Sequence, residues 1–106
     1  VVEGAGGILV PLNDHETMLD LMDHLDLRVI LVSMHYLGSI NHTLLSIEIL
    51  KSRQIDVAGL IFVGDEHPTT EHAIAKLGAM PVIGRVPMSH DIDHNFVAAC
   101  AERLKL

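Results

Sequence analysis

The sequence has few of the residues that mark several common classes of protein. It contains one cysteine, which cannot form an internal disulfide and fits a reducing compartment such as the cytoplasm. Aromatic residues make up 3% of the chain, so the core must be built from aliphatic side chains. No uninterrupted apolar run approaches the roughly 20 residues that a membrane span requires. We therefore expect a cytoplasmic protein with no membrane partner.

Positive charge is also scarce. Seven lysine and arginine residues face 14 aspartate and glutamate residues, which gives a formal net charge of −7. A nucleic-acid interface needs clustered cations, so we expect no nucleic-acid partner. The same shortage means that any phosphate chemistry needs cations from elsewhere. The 106 residues suit one domain of common size, and we expect a single domain over 1–106.

The chain begins without methionine, and little of a strand precedes its first acidic residue. Val1 and Val2 run directly into Glu3, which is followed by the small residues at 4–7. A strand usually has about 4–8 residues, so we interpret the sequence as part of a longer protein that begins within a strand. Glycine lets a ligand approach the backbone, and a glutamate oxygen suits Mg²⁺. By itself, however, the pattern favours a tight turn with a solvated glutamate.

Short apolar runs alternate with helical patterns along the rest of the chain. The runs at 28–33, 57–63 and 80–86 do not alternate with polar residues, which is typical of strands buried on both faces of a parallel sheet. Helical spacing follows each strand, beginning with a stripe at Met18, Leu21, Met22 and Leu25. The order β-α-β-α-β-α-β-α predicts the α/β class, with a parallel sheet and flanking helices.

Several residues are candidates for the helix ends and for burial. Asn13 or Asp14 could cap the first helix, Thr69 or Thr70 the third, and Asp91 or Asp93 the last. Gly78 stands where a glycine commonly follows a helix. The second helix, within 37–53, is apolar on more than one side, and we expect it to be heavily buried. Cys100 lies on the apolar stripe of the last helix, as a small buried hydrophobic residue does.

In open α/β sheets, ligands bind at the carboxyl ends of the strands. The loop after the second predicted strand places Gly38 and Ser39 at a helix start, with Asn41 and His42 close behind. Free N–H groups at such a start bind anions. Simple N-capping by Ser39 is the alternative, and helix statistics alone favour it by about two to one.

The eight histidines invite a metal interpretation. His90 and His94 have the i, i+4 spacing of two ligands on one helix face. A transition-metal site needs three or four convergent ligands, and no third one is evident, so we weight this interpretation at roughly one in ten.

Several of these segments resemble the dethiobiotin synthetase family, which has the P-loop NTPase fold. The resemblance is carried by Val2-Glu3-Gly4-Ala5-Gly6-Gly7 with Val10-Pro11-Leu12, by residues 29–32, by Leu37-Gly38-Ser39-Ile40-Asn41-His42-Thr43-Leu44-Leu45, by residues 59–62 and by Gly84-Arg85-Val86-Pro87. It extends over essentially the whole chain, but only to the C-terminal half of the family. The glycine loop by itself is shared with cobyrinic acid diamide synthases.

The resemblance implies an enzyme that carboxylates 7,8-diaminononanoate with CO₂ and uses ATP and Mg²⁺ to close the ring of dethiobiotin. The family's Mg²⁺-binding glutamate falls on Glu3. The adjoining loop that contacts nucleotide and substrate falls on Gly4, Ala5 and Gly6. The helix start that receives the substrate carboxylate from the neighbouring subunit of a homodimer falls on Gly38, Ser39 and Asn41. The purine-contacting segments fall on Val63, Gly64, Val86, Pro87 and Met88.

Two departures from the family's pattern bear on function. The family usually has an asparagine that reads the purine edge where this chain has Val63. The Walker A loop, the active-site lysine and an Mg²⁺-binding aspartate lie upstream in the family, so no catalytic residue falls within these 106 residues. We expect the chain alone to be inactive, because phosphoryl transfer depends on such groups. A non-catalytic module for regulation or assembly is the alternative.

Overall fold

A computed structural model describes all residues, 1–106, and contains one parallel sheet. Its strands are β1 (Val29–Met34), β2 (Val57–Val63) and β3 (Val82–Val86), in the order β1-β2-β3. The helices are α1 (Met18–Leu25), α2 (Ser39–Ser52), α3 (Pro68–Gly78) and α4 (His94–Ala101). The prediction of the α/β class with a parallel sheet and flanking helices is confirmed. None of the helices is long and apolar enough to cross a membrane.

The predicted N-terminal strand is wrong. Val1 and Val2 are exposed and belong to no strand, so the sheet has three strands and not four. A strand needs a hydrogen-bonded neighbour, and these two residues have none. The chain instead turns at Gly7, whose carbonyl accepts from the Val10 N–H at 3.1 Å. As a result β1 is an edge strand, and every second side chain along it is exposed.

The core lies where α2 and α3 cover the central strand β2. Leu60 and Phe62 of β2 pack with Ile47 of α2 and Ile74 of α3, and all four side chains are fully buried. Three of the four are aliphatic, as the shortage of aromatic residues predicts. The expected burial of α2 on more than one side is wrong, because only one of its faces meets the sheet and α3; Leu45, on the other side, is 59% exposed.

The cap of α1 lies later in the chain than predicted. Thr17 is the N-cap, and its N–H and hydroxyl both donate to Asp20 Oδ2, at 2.7 and 2.8 Å. Asn13 accepts from the N–H groups of His15 and Glu16, so it closes a preceding turn and does not cap the helix. These bonds anchor the chain between the glycine-rich N-terminus and the first helix.

The two ends of α3 also differ from prediction. The helix begins at Pro68, which suits a first helical position because proline lacks an N–H. The expected caps Thr69 and Thr70 therefore lie inside the helix. Gly78 is the last helical residue, and Ala79 takes the left-handed conformation. A Cβ at Gly78 would lie 2.6 Å from Ile47 Cδ1, so glycine serves close packing between α3 and α2.

The last helix follows its prediction. Asp93 caps α4 by accepting from the Phe96 N–H at 2.8 Å. Cys100 is 8% exposed, as expected of a small buried hydrophobic residue. The helices thus cover a sheet whose carboxyl ends stand level, since Met34, Val63 and Val86 are partners in the register.

Candidate functional site

The loops after the three strands meet at the carboxyl edge of the sheet. Met34, Val63 and Val86 end β1, β2 and β3 side by side. Parallel strands in this arrangement place all their following loops at one edge, which is where open α/β sheets bind ligands. The structure therefore brings three of the predicted loops together.

The glycine-rich segment borders the open side of β1. Glu3, Gly4 and Gly6 line a cleft of about 630 Å³ together with Tyr36 and His42, whereas Ala5 does not line it. The Glu3 carboxylate is exposed and has no hydrogen bond or ion pair within the protein. It is thus free to bind a cation, and its cleft is shared with the loop after β1.

Gly6 has a structural reason to be glycine. Its φ is +82°, and a Cβ there would lie 2.8 Å from Val10 Cγ2. The chain can therefore turn closely over Val10 only without a side chain at this position.

The donors present suit Mg²⁺ better than a transition metal. Mg²⁺ is usually bound by one or two carboxylates, with water and substrate phosphates completing its shell, and Glu3 supplies one such carboxylate. No group of three or more His, Cys, Asp or Glu side chains is placed to hold a metal ion. His90 and His94 accordingly belong to no such group.

The start of α2 has free backbone donors. Gly38 is the N-cap, with φ at +99°, and no side chain caps the helix. Capping by Ser39 is wrong, because Ser39 is already the first helical residue and its hydroxyl bonds no N–H. The N–H groups of Ile40 and Asn41 have no acceptor in the protein. These groups, at the positive end of the helix, can bind a carboxylate or another anion.

A second cleft, of about 550 Å³, lies at these free donors. Residues 36–41 line it, together with Leu44 and with Thr70 from α3, which the sequence suggested only as a helix cap. Tyr36 borders both clefts, and its hydroxyl lies 2.8 Å from His42 Nδ1. The glycine-rich segment and the start of α2 are therefore neighbours.

The two segments expected to contact a purine are adjacent. The Gly64 N–H donates to the Val86 carbonyl at 2.9 Å, and Gly64 has a φ of +96°. Met88 lies above Gly64, since its Cγ would be 3.8 Å from a Cβ at that position. Val63 and Pro87 are partly exposed at the same edge. None of these residues lines the cleft at Glu3.

An ion-pair network beside Gly64 was not foreseen from the sequence. Arg85 of β3 donates to both carboxylate oxygens of Glu71 on α3. Its other terminal nitrogen donates to the carbonyls of Gly64 and Asp65, at 3.1 and 2.9 Å. The Glu71 and Arg85 side chains are 14% and 26% exposed. One guanidinium therefore joins β3, α3 and the loop after β2.

His35 completes the network from the end of β1. Its Nε2 lies 2.9 Å from Glu71 Oε1, and its ring stacks on Phe62 with the ring centres 5.4 Å apart. The side chain is 9% exposed, and the buried Nδ1 has no hydrogen-bond partner. The tautomer with its hydrogen on Nε2 donates to Glu71 and leaves only a lone pair unpaired at Nδ1.

Glu71 is held in its charged form. Burial raises the pKa of Glu71, but hydrogen bonds from Arg85, the His67 N–H and His35, together with the Arg85 charge, outweigh burial and bring the pKa below its ordinary value of 4.5. The carboxylate therefore keeps its bonds throughout the neutral pH range.

The sequence does contain one signal of this network. Arg85 is the only charged residue within the predicted strand 80–86, and charged side chains are seldom buried without a partner. That signal predicts that a partner exists. Glu71 as the partner follows only from the packing of α3 against the sheet.

Comparison with known proteins defines the class first. The sequence profile of the AAA domain family matches residues 1–95, so the chain belongs to this family of P-loop NTPase domains.

Among curated proteins, the chain is 60% identical over 105 residues to a protein of Christiangramia forsetii named ATP-dependent dethiobiotin synthetase BioD, covering 99% of this chain and 50% of the relative. Proteins of the same name from Brucella ovis and Cytophaga hutchinsonii are 47% and 45% identical over 92 and 104 residues. Those matches cover 87% and 98% of this chain, and 43% and 50% of the relatives. The resemblance to dethiobiotin synthetases is confirmed. The chain spans about half the length of the curated relatives it matches.

Proposed function

We propose that this chain is part of an ATP-dependent dethiobiotin synthetase of biotin biosynthesis. The whole protein would carboxylate 7,8-diaminononanoate with CO₂ and activate the carbamate with ATP and Mg²⁺, so that the ring of dethiobiotin closes. The observation that carries this proposal is the uncapped start of α2, where the N–H groups of Ile40 and Asn41 face a cleft. Such donors suit the tail carboxylate of the proposed substrate.

The proposed roles are distributed over the loops of the carboxyl edge. Glu3 binds Mg²⁺, and Gly4, Ala5 and Gly6 contact the nucleotide and the substrate. Gly38, Ser39 and Asn41 receive the substrate carboxylate. Val63, Gly64, Val86, Pro87 and Met88 hold the purine. The phosphate-binding lysine and the active-site lysine come from outside these residues, so this chain by itself does not turn over substrate. The protein acts in the cytoplasm, which its single cysteine suits.

The test uses the full-length protein. It is incubated with 7,8-diaminononanoate, bicarbonate, ATP and Mg²⁺, and dethiobiotin is measured by mass spectrometry. We expect product that depends on ATP and on Mg²⁺, and none from residues 1–106 alone. The absence of product from the folded full-length protein, under conditions in which a curated relative forms it, contradicts the proposal.

We also propose a homodimer in which the segment 37–42 faces the nucleotide loop of the other subunit. A variant altered in the Walker A loop is mixed with an Asn41→Ala variant, which removes the Asn41 side chain from the proposed carboxylate site, after each has been shown to be inactive alone. Mixed dimers contain one site with both contributions intact, so part of the activity should return. No recovery after verified subunit exchange places both loops in the site of one subunit.

A non-catalytic module is the second candidate, and Val63 favours it, because an apolar side chain cannot hydrogen-bond a purine edge. The sequence upstream of Val1 separates the two. A Gly-x-x-x-x-Gly-Lys-Ser/Thr loop after a strand supports the enzyme, and a natural upstream region without that loop supports the module.

A further inference from the structure

The backbone of the loop 64–67, which follows β2, is held by the neighbouring strand β3 and by one ion pair. The Gly64 N–H donates to the Val86 carbonyl. The carbonyls of Gly64 and Asp65 accept from Arg85. At the other end of the loop, the His67 N–H donates to Glu71 Oε1 at 2.9 Å. The loop 64–67 is thus fastened at both ends by the Glu71–Arg85 pair.

The Glu71–Arg85 pair is also contacted from the end of β1. His35 reaches Glu71 from the end of β1, and its ring lies against Phe62 and, with ring centres 4.6 Å apart, against His67. One carboxylate therefore links the ends of all three strands. The Asp65 and Glu66 side chains in the loop are exposed and make no bond in the protein, so they do not compete for Arg85.

We propose that Glu71, Arg85 and His35 are positioning residues that hold the loop 64–67 in the conformation that binds the nucleotide base. This inference rests on the proposed function, in which Gly64 and the segment 86–88 contact the purine. A loop ordered before binding loses less conformational freedom when the ligand arrives, so the ligand binds more tightly. The network should therefore set the affinity for ATP and leave the affinity for the diamine substrate unchanged.

The most informative variant is Glu71→Gln in the full-length protein. Glutamine has nearly the same shape, but it replaces one acceptor oxygen with an NH₂ donor and removes the charge, so Arg85 loses its two-oxygen partner. Asp56→Asn is the matched control, because Asp56 pairs with Arg28 at 3.2 Å in an exposed ion pair at the opposite end of the sheet. Arg85→Lys is the second variant, since lysine keeps the charge but cannot reproduce the planar fork.

The first measurement is amide hydrogen exchange without nucleotide. We expect the amides of Gly64 and His67, which donate hydrogen bonds in the parent, to exchange about tenfold faster in Glu71→Gln, as the loss of a charge-assisted hydrogen bond allows. Exchange in Asp56→Asn should match the parent in this loop. Unchanged exchange at 64–67 in both Glu71→Gln and Arg85→Lys overturns the proposal, whether or not the protein makes dethiobiotin.

The second measurement separates binding of ATP from the rest of the reaction. In Glu71→Gln, KM for ATP should rise about tenfold, while kcat and KM for 7,8-diaminononanoate stay within about twofold of the parent. The KM for ATP of Arg85→Lys should lie between those of the parent and of Glu71→Gln. Faster exchange with an unchanged KM for ATP, or an equal loss in every kinetic constant, overturns the positioning role.

A failure of the proposed function looks different. The parent then forms no dethiobiotin, and calorimetric titration with ATP replaces the kinetic measurement. An ATP dissociation constant that rises in Glu71→Gln but not in Asp56→Asn supports the positioning role on its own, and equal constants overturn it.

Discussion

Two glycine-containing loops at the same sheet edge are held in opposite ways. The segment 3–7 has an exposed glutamate with no partner, and the apolar side chains of Met18 and Val10 lie beside Gly4 and Gly6. The loop 64–67 has its backbone fastened by Arg85 and Glu71. The charge of Glu3 in the first loop is free for a ligand, whereas the charges that hold the second loop, those of Glu71 and Arg85, are paired inside the protein. A binding role at the first loop therefore depends on a free charge, whereas one at the second loop depends on a backbone that is held in place.

Glycine itself serves both loops for the same reason. Gly6 and Gly64 have φ values of +82° and +96°, which residues with a Cβ rarely adopt. The two loops differ in whether a side chain hydrogen-bonds the backbone of the glycine. The carbonyl of Gly64 accepts from Arg85, while no side chain bonds the backbone of Gly6. Stability should therefore depend strongly on the second loop's partners and little on Glu3.

The largest expected effect is on the second loop. Glu71→Ala leaves Arg85 largely buried without its partner, and we expect the free energy of unfolding to fall by about 3 kcal/mol. Urea denaturation of the full-length protein measures it. Asp56→Ala, which breaks an exposed pair, should cost less than about 1 kcal/mol. Equal losses in the two variants would show that the buried pair contributes no more than a surface pair.

Glu3→Gln should affect activity much more than stability. Because Glu3 has no partner in the protein, the free energy of unfolding should change by less than about 0.5 kcal/mol. If Glu3 binds Mg²⁺, turnover of the full-length protein should fall on the order of 100-fold, and the Mg²⁺ concentration for half-maximal rate should rise. Parent-like turnover and Mg²⁺ dependence would remove Glu3 from the metal site.

Val63 gives a smaller effect, in selectivity. Apolar packing discriminates between bases by only about 1–3 kcal/mol, so the full-length protein should accept ATP, GTP and CTP with similar kcat/KM. Val63→Asn adds a donor and an acceptor and should sharpen the preference for ATP. A parent that already prefers ATP by a large factor shows that other groups read the base. An unchanged preference in the variant shows that position 63 does not face the purine.

The smallest expected effect is the loss of stability at acidic pH. Hydrogen bonds from the Thr17 N–H and hydroxyl and from Arg53 lower the pKa of Asp20 from 3.8 to about 2, against a small opposing effect of burial. The pKa of Glu71 is also lowered, so both carboxylates stabilise the fold fully above their unfolded pKa values. That stabilisation is lost as pH falls through the folded values.

Unfolding measured at pH 5 and at pH 3 tests this. The parent should be less stable at pH 3, and its advantage over Glu71→Gln should shrink there. The disadvantage of Asp20→Asn should shrink as the pH falls below 3.8 and disappear as the pH falls through about 2, the folded pKa of Asp20. An advantage over Glu71→Gln that grows on acidification contradicts the lowered pKa of Glu71.

Much of the fold was predictable because local patterns decide it. The predicted strand 57–63 coincides with β2, and the stripe from Met18 to Leu25 coincides with α1. Helix ends were less predictable. Gly78 resembles a helix terminator, yet its absent side chain serves contact with Ile47, which a sequence pattern cannot reveal. Ser39 resembles a cap but lies one residue inside its helix.

By itself, the sequence determined the parallel α/β architecture, the family resemblance and the loops in which ligands should be sought, because apolar runs, turn residues and short motifs are local. The tertiary structure decided which distant groups meet. Glu71 lies 36 residues after His35 and 14 before Arg85, and only the packing of α3 beside the sheet joins them. These ion pairs join residues that are distant in the sequence. The network, and the order that it imposes on the loop 64–67, therefore depends on the tertiary structure.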